Sequence, residues 1–132
     1  MVVDGTAHSL RRFANHDPFS LMKIIITGGG GFLGSQLASR LLERGTWLGR
    51  PITEMVLLDA FFRTPSADPK VRQVTGDIGD RSVVMAACGP RFDAIFHLAS
   101  MVSGECEERF DDALRVNLDG GRNVFEAARA AE

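Results

Sequence analysis

Residues 27–34 read Thr27-Gly28-Gly29-Gly30-Gly31-Phe32-Leu33-Gly34, a Thr-Gly-x-x-Gly-x-x-Gly spacing. They follow a β-branched run, Lys23-Ile24-Ile25-Ile26-Thr27, and precede a stretch in which Leu33, Leu37, Ala38, Leu41 and Leu42 recur at helical spacing until Gly45. A strand, a glycine turn and a helix in this order suit a pyrophosphate, because the first helical turn leaves backbone N–H groups unpaired and carries the positive end of the helix dipole. Side chains would stand in the way of such a ligand. We assign Gly28 to the tight turn after the strand, Gly31 to the close approach of backbone and phosphate, and Gly34 to the packing of helix on strand. A glycine turn that is only flexible would lack the strand before it, the helix after it and an acidic residue at the next strand end.

Outward from the turn, short β-type runs alternate with helical stripes, the pattern of βαβ units and a parallel sheet covered on both faces. A loop containing Gly49 and Pro51 is expected to lead to a second strand, Met55-Val56-Leu57-Leu58-Asp59. Val71 to Asp77 reads as a third strand, and a short helix from Arg81 to Cys88 has Asp80 as its N-cap. Ala94-Ile95-Phe96-His97-Leu98-Ala99 is a fourth strand. Phe110, Leu114, Asn117, Leu118, Gly121, Val124, Phe125 and Ala128 share one face of a long final helix. The fold class is therefore α/β, a Rossmann-type parallel sheet of strand order 3-2-1-4 with flanking helices, truncated to its first half. Residues 1–21 have mixed polarity, no sustained period and a break at Pro18, and are expected to form a weakly ordered extension. Residues 22–132 form the folded half-domain.

Asp59 closes the second strand, where a carboxylate accepts hydrogen bonds from the adenosine ribose hydroxyls and repels a 2′-phosphate. This favours NAD over NADP. Arg63 lies close by and would instead serve a 2′-phosphate. Asp77 and Ile78 either hold an adenine, by its edge and its ring face, or Asp77 is a turn carboxylate competing with Asp80 for the next helix. The end of the fourth strand, His97-Leu98-Ala99-Ser100, faces the glycine turn across the crevice of the strand order 3-2-1-4. Ala99 lets a ribose lie against backbone, and His97 reads as a hydrogen-bonded strand histidine rather than a catalyst. Asn117, polar in an apolar stripe, should point inward and either tie the backbone of a neighbouring strand or steady the crevice, with cofactor contact as a further reading. Ser103, Gly104 and Glu105 read as a loop, and Glu105, Glu107, Glu108, Asp111 and Asp112 as the solvated acidic start of the last helix.

Composition excludes several classes. Charged residues make up 24% of the 132 residues and the net charge is −2, so no basic field exists for nucleic acid or anionic lipid. No apolar run is long enough for a membrane span and no signal-peptide core is present, which points to neither membrane nor export. Cys88 and Cys106 are too few and too far apart for a zinc site or a disulfide scaffold, which fits a reducing cytoplasm. No metal is expected. Tyrosine is absent, which removes a common dehydrogenase acid/base.

With these residues assembled, the chain resembles the extended short-chain dehydrogenase/reductase superfamily, the NAD-dependent epimerase/dehydratase group. The resemblance runs from Met22 to the C-terminus and rests on the glycine turn, Asp59, Gly76-Asp77-Ile78, His97-Leu98-Ala99-Ser100, and Val116-Asn117-Leu118-Asp119-Gly120 opening into Asn123-Val124-Phe125-Glu126-Ala127. Within the superfamily, Leu98 to Glu105 is similar to the D-erythronate dehydrogenase group. The resemblance implies NAD contacts at Gly28, Gly31, Phe32, Leu33, Gly34, Asp59, Asp77, Ile78, Leu98 and Ala99, with Asn117 as a further candidate. It implies hydride transfer on a sugar acid or a nucleotide sugar, and a catalytic Tyr-x-x-x-Lys that these residues do not contain. No catalytic residue is therefore expected in this sequence, and the 132 residues alone should be inactive. The rival reading is a non-catalytic NAD-binding sensor or regulatory module. The fourth strand, left as a long apolar edge, points to a homodimer.

Overall fold

The structure, a computed structural model, describes residues 21–131. The expected extension, residues 1–21, lies outside the described residues apart from Leu21. Strand β1 (Met22–Thr27) leads through the glycine turn into helix α1 (Phe32–Arg44), and β2 (Thr46–Trp47) and β3 (Arg50–Asp59) follow. Strand β4 (Val71–Thr75), helix α2 (Arg81–Cys88) and strand β5 (Ala94–His97) complete the sheet. The remainder is helical: α3 (Ser103–Glu108), α4 (Phe110–Leu114), a π-helical turn (Arg115–Asp119) and α5 (Gly120–Ala130).

Strand β1 lies between β3 and β5, and β4 lies on the other side of β3, all in parallel. Counted over these parallel strands the order is the expected 3-2-1-4. Period-two alternation sends the isoleucines of β1 to opposite faces. Ile24 and Ile26 join Met55, Leu57, Ala38 and Leu41 under α1. Ile25 joins Val56, Leu58 and Ile95 under α2 and α5, with Val84, Cys88 and Val124. Each of the three isoleucines is fully buried, which contributes about 1.5–3 kcal/mol apiece. The two covered faces explain why the β1 sequence is apolar throughout instead of alternating.

The expected loop at Gly49 and Pro51 is instead a hairpin. β2 pairs antiparallel with the start of β3, Thr46 opposite Pro51 and Trp47 opposite Arg50. Leu48 (φ 50°) and Gly49 (φ 76°) are both left-handed at its tip, the conformation a tight two-residue hairpin turn requires. The sequence Leu-Gly hides this turn, because leucine is a poor left-handed residue. Strand β3 consequently begins at Arg50 rather than Met55.

Two further expectations are corrected at the C-terminal side. Ser103 to Glu105, read as a loop, begins α3, so Glu105, Glu107 and Glu108 belong to a separate short helix. The long last helix is interrupted by its π-helical turn, and of the face read as its core side Val124 is buried while the large residues Phe110, Leu114, Leu118 and Phe125 are turned outward. Phe110, Leu114, Leu118 and Phe125 are all exposed, whereas Ala113, Gly120, Asn123, Val124 and Ala127 are buried. Packing distance selects the small face: a Cβ on Gly120 would lie 2.9 Å from Ile78 Cγ2, and bulky side chains there would hold the helix off the sheet.

Candidate functional site

The glycine turn sits at the carboxyl end of β1, where it meets the ends of β3 and β5. Gly28 has φ 73° and donates its N–H to the Leu58 carbonyl at 2.8 Å. A Cβ at Gly28 would stand 2.7 Å from both Ala99 N and Leu98 C, so the turn lies directly on the end of β5. A Cβ on Gly34 would come within 2.1 Å of the Gly28 carbonyl oxygen, the close helix-on-strand contact assigned to it. Gly31 differs. It is the exposed N-cap of α1, has extended backbone and no side-chain cap, and a Cβ there meets only Gly28 O, at 3.3 Å. Phe32 and Leu33, 80% and 67% exposed, flank it. The first turn of α1 therefore presents backbone amides with no side-chain acceptor over them.

Sequence reasoning passed over Gly30, which the motif spacing leaves unspecified. A Cβ at Gly30 would lie 2.3 Å from Phe61 O and 3.2 Å from Asp59 Cγ. No signal beyond the glycine itself marks the position, because the constraint comes from a loop roughly thirty residues away in sequence. Asp59 Oδ2 accepts the Gly30 N–H at 2.9 Å, and its Oδ1 accepts the Phe61 N–H at 3.3 Å. The carboxylate thus straps the glycine turn to the loop after β3 and remains half-buried. Arg63 is exposed further along that loop.

Beyond β4, Asp77 Oδ1 accepts the Gly79 N–H at 2.8 Å, and its Oδ2 forms an ion pair with Arg115. Asp80, not Asp77, caps α2, accepting from Ser82 N at 2.8 Å. The Ser82 hydroxyl and amide hold the Asp80 carboxyl below its usual range. Asp77 lines a shallow hollow of about 400 Å³ with Ala60, Gly76, Met101, Arg115 and Val116, at the carboxyl ends of three strands. Ile78 departs from the expectation that it packs on a ligand ring. Its side chain is 6% exposed in the core against Gly120, and its carbonyl accepts from the buried Asn123 amide at 3.0 Å.

The Thr27 hydroxyl, fully buried, joins the two halves of the crevice. It accepts from Leu98 N at 3.2 Å and Ala99 N at 3.4 Å, and lies 2.7 Å from His97 Nδ1. Burial lowers the His97 pKa below the usual 6.5, so the ring is neutral near pH 7. Asn117 is exposed, not inward as expected, because the π-helical turn carries it to the rim. Its tie is to the loop after β5 rather than to a strand: its Oδ1 accepts from Met101 N at 2.8 Å and its Nδ2 donates to Met101 O at 3.1 Å. Of the remaining groups, Cys88 is buried and its thiol is pushed up to about 11 by desolvation, so it stays protonated. No helix among the described residues is long and apolar enough to cross a membrane.

The structure thus brings Gly28, Leu98 and Ala99 into contact, ties Asp59 to the turn through Gly30, and sets Asp77 across the hollow from Met101. Known proteins are similar to this chain in sequence and fold. A D-erythronate dehydrogenase from Cupriavidus necator is 46% identical over 112 residues, covering 82% of this chain and 35% of that protein. A nucleoside-diphosphate-sugar epimerase from Agrobacterium tumefaciens superposes with a TM-score of 0.71 at 33% identity, over 89% of this chain and 35% of that one. A mutant uronate dehydrogenase from the same organism, solved in complex with NAD, gives 0.68 at 28% identity, over 84% of this chain and 37% of that one. The chain spans about a third of the length of these relatives. Residues 24–132 match the NAD dependent epimerase/dehydratase family, and the chain belongs to it.

Proposed function

We propose that this chain is the NAD-binding portion of an oxidoreductase that transfers hydride to or from a sugar acid of the D-erythronate kind, or a nucleotide sugar. The observation that carries the reading is the bare first turn of α1, with Gly31 as its N-cap, directly after a glycine turn whose Gly28 is set against the end of β5. The amides of Phe32, Leu33 and Gly34 would receive the pyrophosphate there, favoured by the helix dipole. Asp59, already accepting from Gly30, retains lone pairs for the adenosine ribose hydroxyls. Its negative charge beside that ribose supports NAD over NADP. The hollow beside Asp77 has room for an adenine, whose amino group would compete with Arg115 for the carboxylate. Leu98 and Ala99 would floor the nicotinamide ribose, and Asn117 would act through Met101 rather than touch the cofactor. NAD supplies the hydride chemistry when bound. The chain's own residues bind and orient it.

The sequence holds no tyrosine, and the one described histidine at the crevice has its Nδ1 engaged by Thr27. These 132 residues are therefore expected to bind without turnover. Two free cysteines suit a reducing cytoplasm. The exposed row of Phe110, Leu114, Leu118 and Phe125 supports a homodimer. The test is calorimetric titration with NAD and NADP, followed by NADH absorbance with a panel of sugar acids and nucleotide sugars. Preference for NAD, with turnover of a sugar acid by the product of the complete reading frame, is expected. Absence of NAD binding would overturn the reading, and binding without turnover of any sugar by that product would favour a sensor.

A further inference from the structure

A hydroxyl has one proton to give and two lone pairs to accept with. The Thr27 hydroxyl oxygen already receives the Ala99 N–H and shares the Leu98 N–H with the Thr27 backbone carbonyl, which takes it at 3.1 Å, so its proton is left for His97 Nδ1 at 2.7 Å. The opposite arrangement, with Nδ1 protonated, would crowd a third donor onto a buried oxygen and leave the hydroxyl proton without an acceptor. The ring must then carry its own proton on Nε2. That nitrogen faces Gly121, where a Cβ would stand 3.9 Å away.

We propose that His97 is a positioning residue for the dinucleotide crevice: its neutral Nδ1 takes the Thr27 proton and so commits the Thr27 oxygen to holding the Leu98 and Ala99 amides. The Leu98–Ala99 peptide lies where a Cβ on Gly28 would collide, so its position sets the distance between the glycine turn and the end of β5. A proton on Nδ1 removes the acceptor, turns the Thr27 hydroxyl toward competing partners and loosens the Ala99 amide, whereas the Leu98 amide keeps the Thr27 backbone carbonyl. Thr27 on β1 and Gly121 on α5 are the neighbours of the two ring nitrogens, and no charged side chain of the described residues is among the causes of the lowered pKa. Burial is the largest cause that holds the ring neutral, and acid therefore opens the contact. The consequence for ligand rests on the NAD reading above, whereas the proton arrangement does not.

The product of the complete reading frame, isotope-labelled and free of ligand, is examined by long-range ¹⁵N–¹H spectra of its histidines between pH 5 and 8. His97 is expected as the Nε2–H tautomer with a pKa below 6.5. NAD titrations over the same range should show constant affinity above pH 7 and a loss of roughly tenfold once the ring is protonated. His97→Asn offers an oxygen near the place of Nδ1 without titrating, and should keep the neutral-pH affinity within about threefold while flattening the acid limb. His97→Phe and Thr27→Val should each weaken binding about tenfold at every pH. An Nδ1–H tautomer, or a His97→Asn variant that keeps the acid limb, overturns the proposal. Failure to bind NAD at any pH overturns the dinucleotide reading instead, and the tautomer still decides the proton arrangement.

Discussion

Asp59 Oδ2 accepts the Gly30 N–H at 2.9 Å, which binds the end of one strand to the glycine turn after its neighbour. The carboxylate therefore has two separable effects, a mechanical one on the turn and an electrostatic one on whatever lies beside it. Asp59→Ala removes both, and Asp59→Asn loses the charge and keeps one acceptor, for the Gly30 N–H, at the expense of the weaker Phe61 contact. We expect Asp59→Ala to weaken NAD binding and narrow the NAD over NADP preference. Asp59→Asn should narrow the preference by roughly tenfold with little loss of thermal stability. Calorimetry with both dinucleotides checks this, and an unchanged ratio in both variants would shift the role to Arg63.

Gly31 and Gly34, three residues apart, should respond oppositely to a side chain. A Cβ at Gly31 meets only one atom, at 3.3 Å, whereas one at Gly34 runs into the Gly28 carbonyl at 2.1 Å. Gly31→Val is expected to fold with a near-normal melting temperature and fail to bind NAD, because the branched side chain fills the pyrophosphate position. Gly34→Ala should lose stability by about 1–3 kcal/mol through overpacking. Denaturant melts and calorimetry on both variants separate the two effects, and a Gly31→Val protein that binds with full affinity would show that the turn has been misread.

Much of this was legible in the sequence, and the parts that were not share a cause. The β1 run, the glycine spacing and Asp59 are local patterns whose meaning follows from the order strand, turn, helix. Gly30, Thr27 and Asn123 depend on partners far along the chain, at Phe61, Leu98 and Ile78. The outward turn of Phe110, Leu114, Leu118 and Phe125 has the same origin. Periodicity finds an apolar face, but which face meets the sheet is decided by the approach of Gly120 to Ile78.

Asn123 makes that point measurable. Its side chain is buried at 6% exposure and its Nδ2 donates to the Ile78 carbonyl at 3.0 Å. Asn123→Leu leaves the carbonyl unpaired and should cost about 1–3 kcal/mol in urea denaturation. Asn117→Ala, on the exposed rim, should cost less and chiefly loosen the segment at Met101, read as faster amide exchange there.

Stability should also depend on pH through His97. Burial lowers its folded pKa below the ordinary 6.5, so between the two values the unfolded chain binds the proton that the folded ring refuses. This contribution is fully present above pH 6.5 and is lost as the pH falls through that value toward the folded pKa. The melting temperature should therefore drop between pH 7.5 and pH 5.5, and His97→Asn should show a shallower drop. Equal slopes would mean that His97 does not titrate differently in the two states.

The central claim is that the carboxyl edge of this sheet holds NAD, and amide chemical-shift mapping during an NAD titration tests it most directly. Saturable shifts are expected at Gly31, Phe32, Leu33, Asp59, Asp77 and Ala99, with the outward row of Phe110 and Leu118 unmoved. Shifts confined to that row, or no saturable shift at the glycine turn, would contradict it.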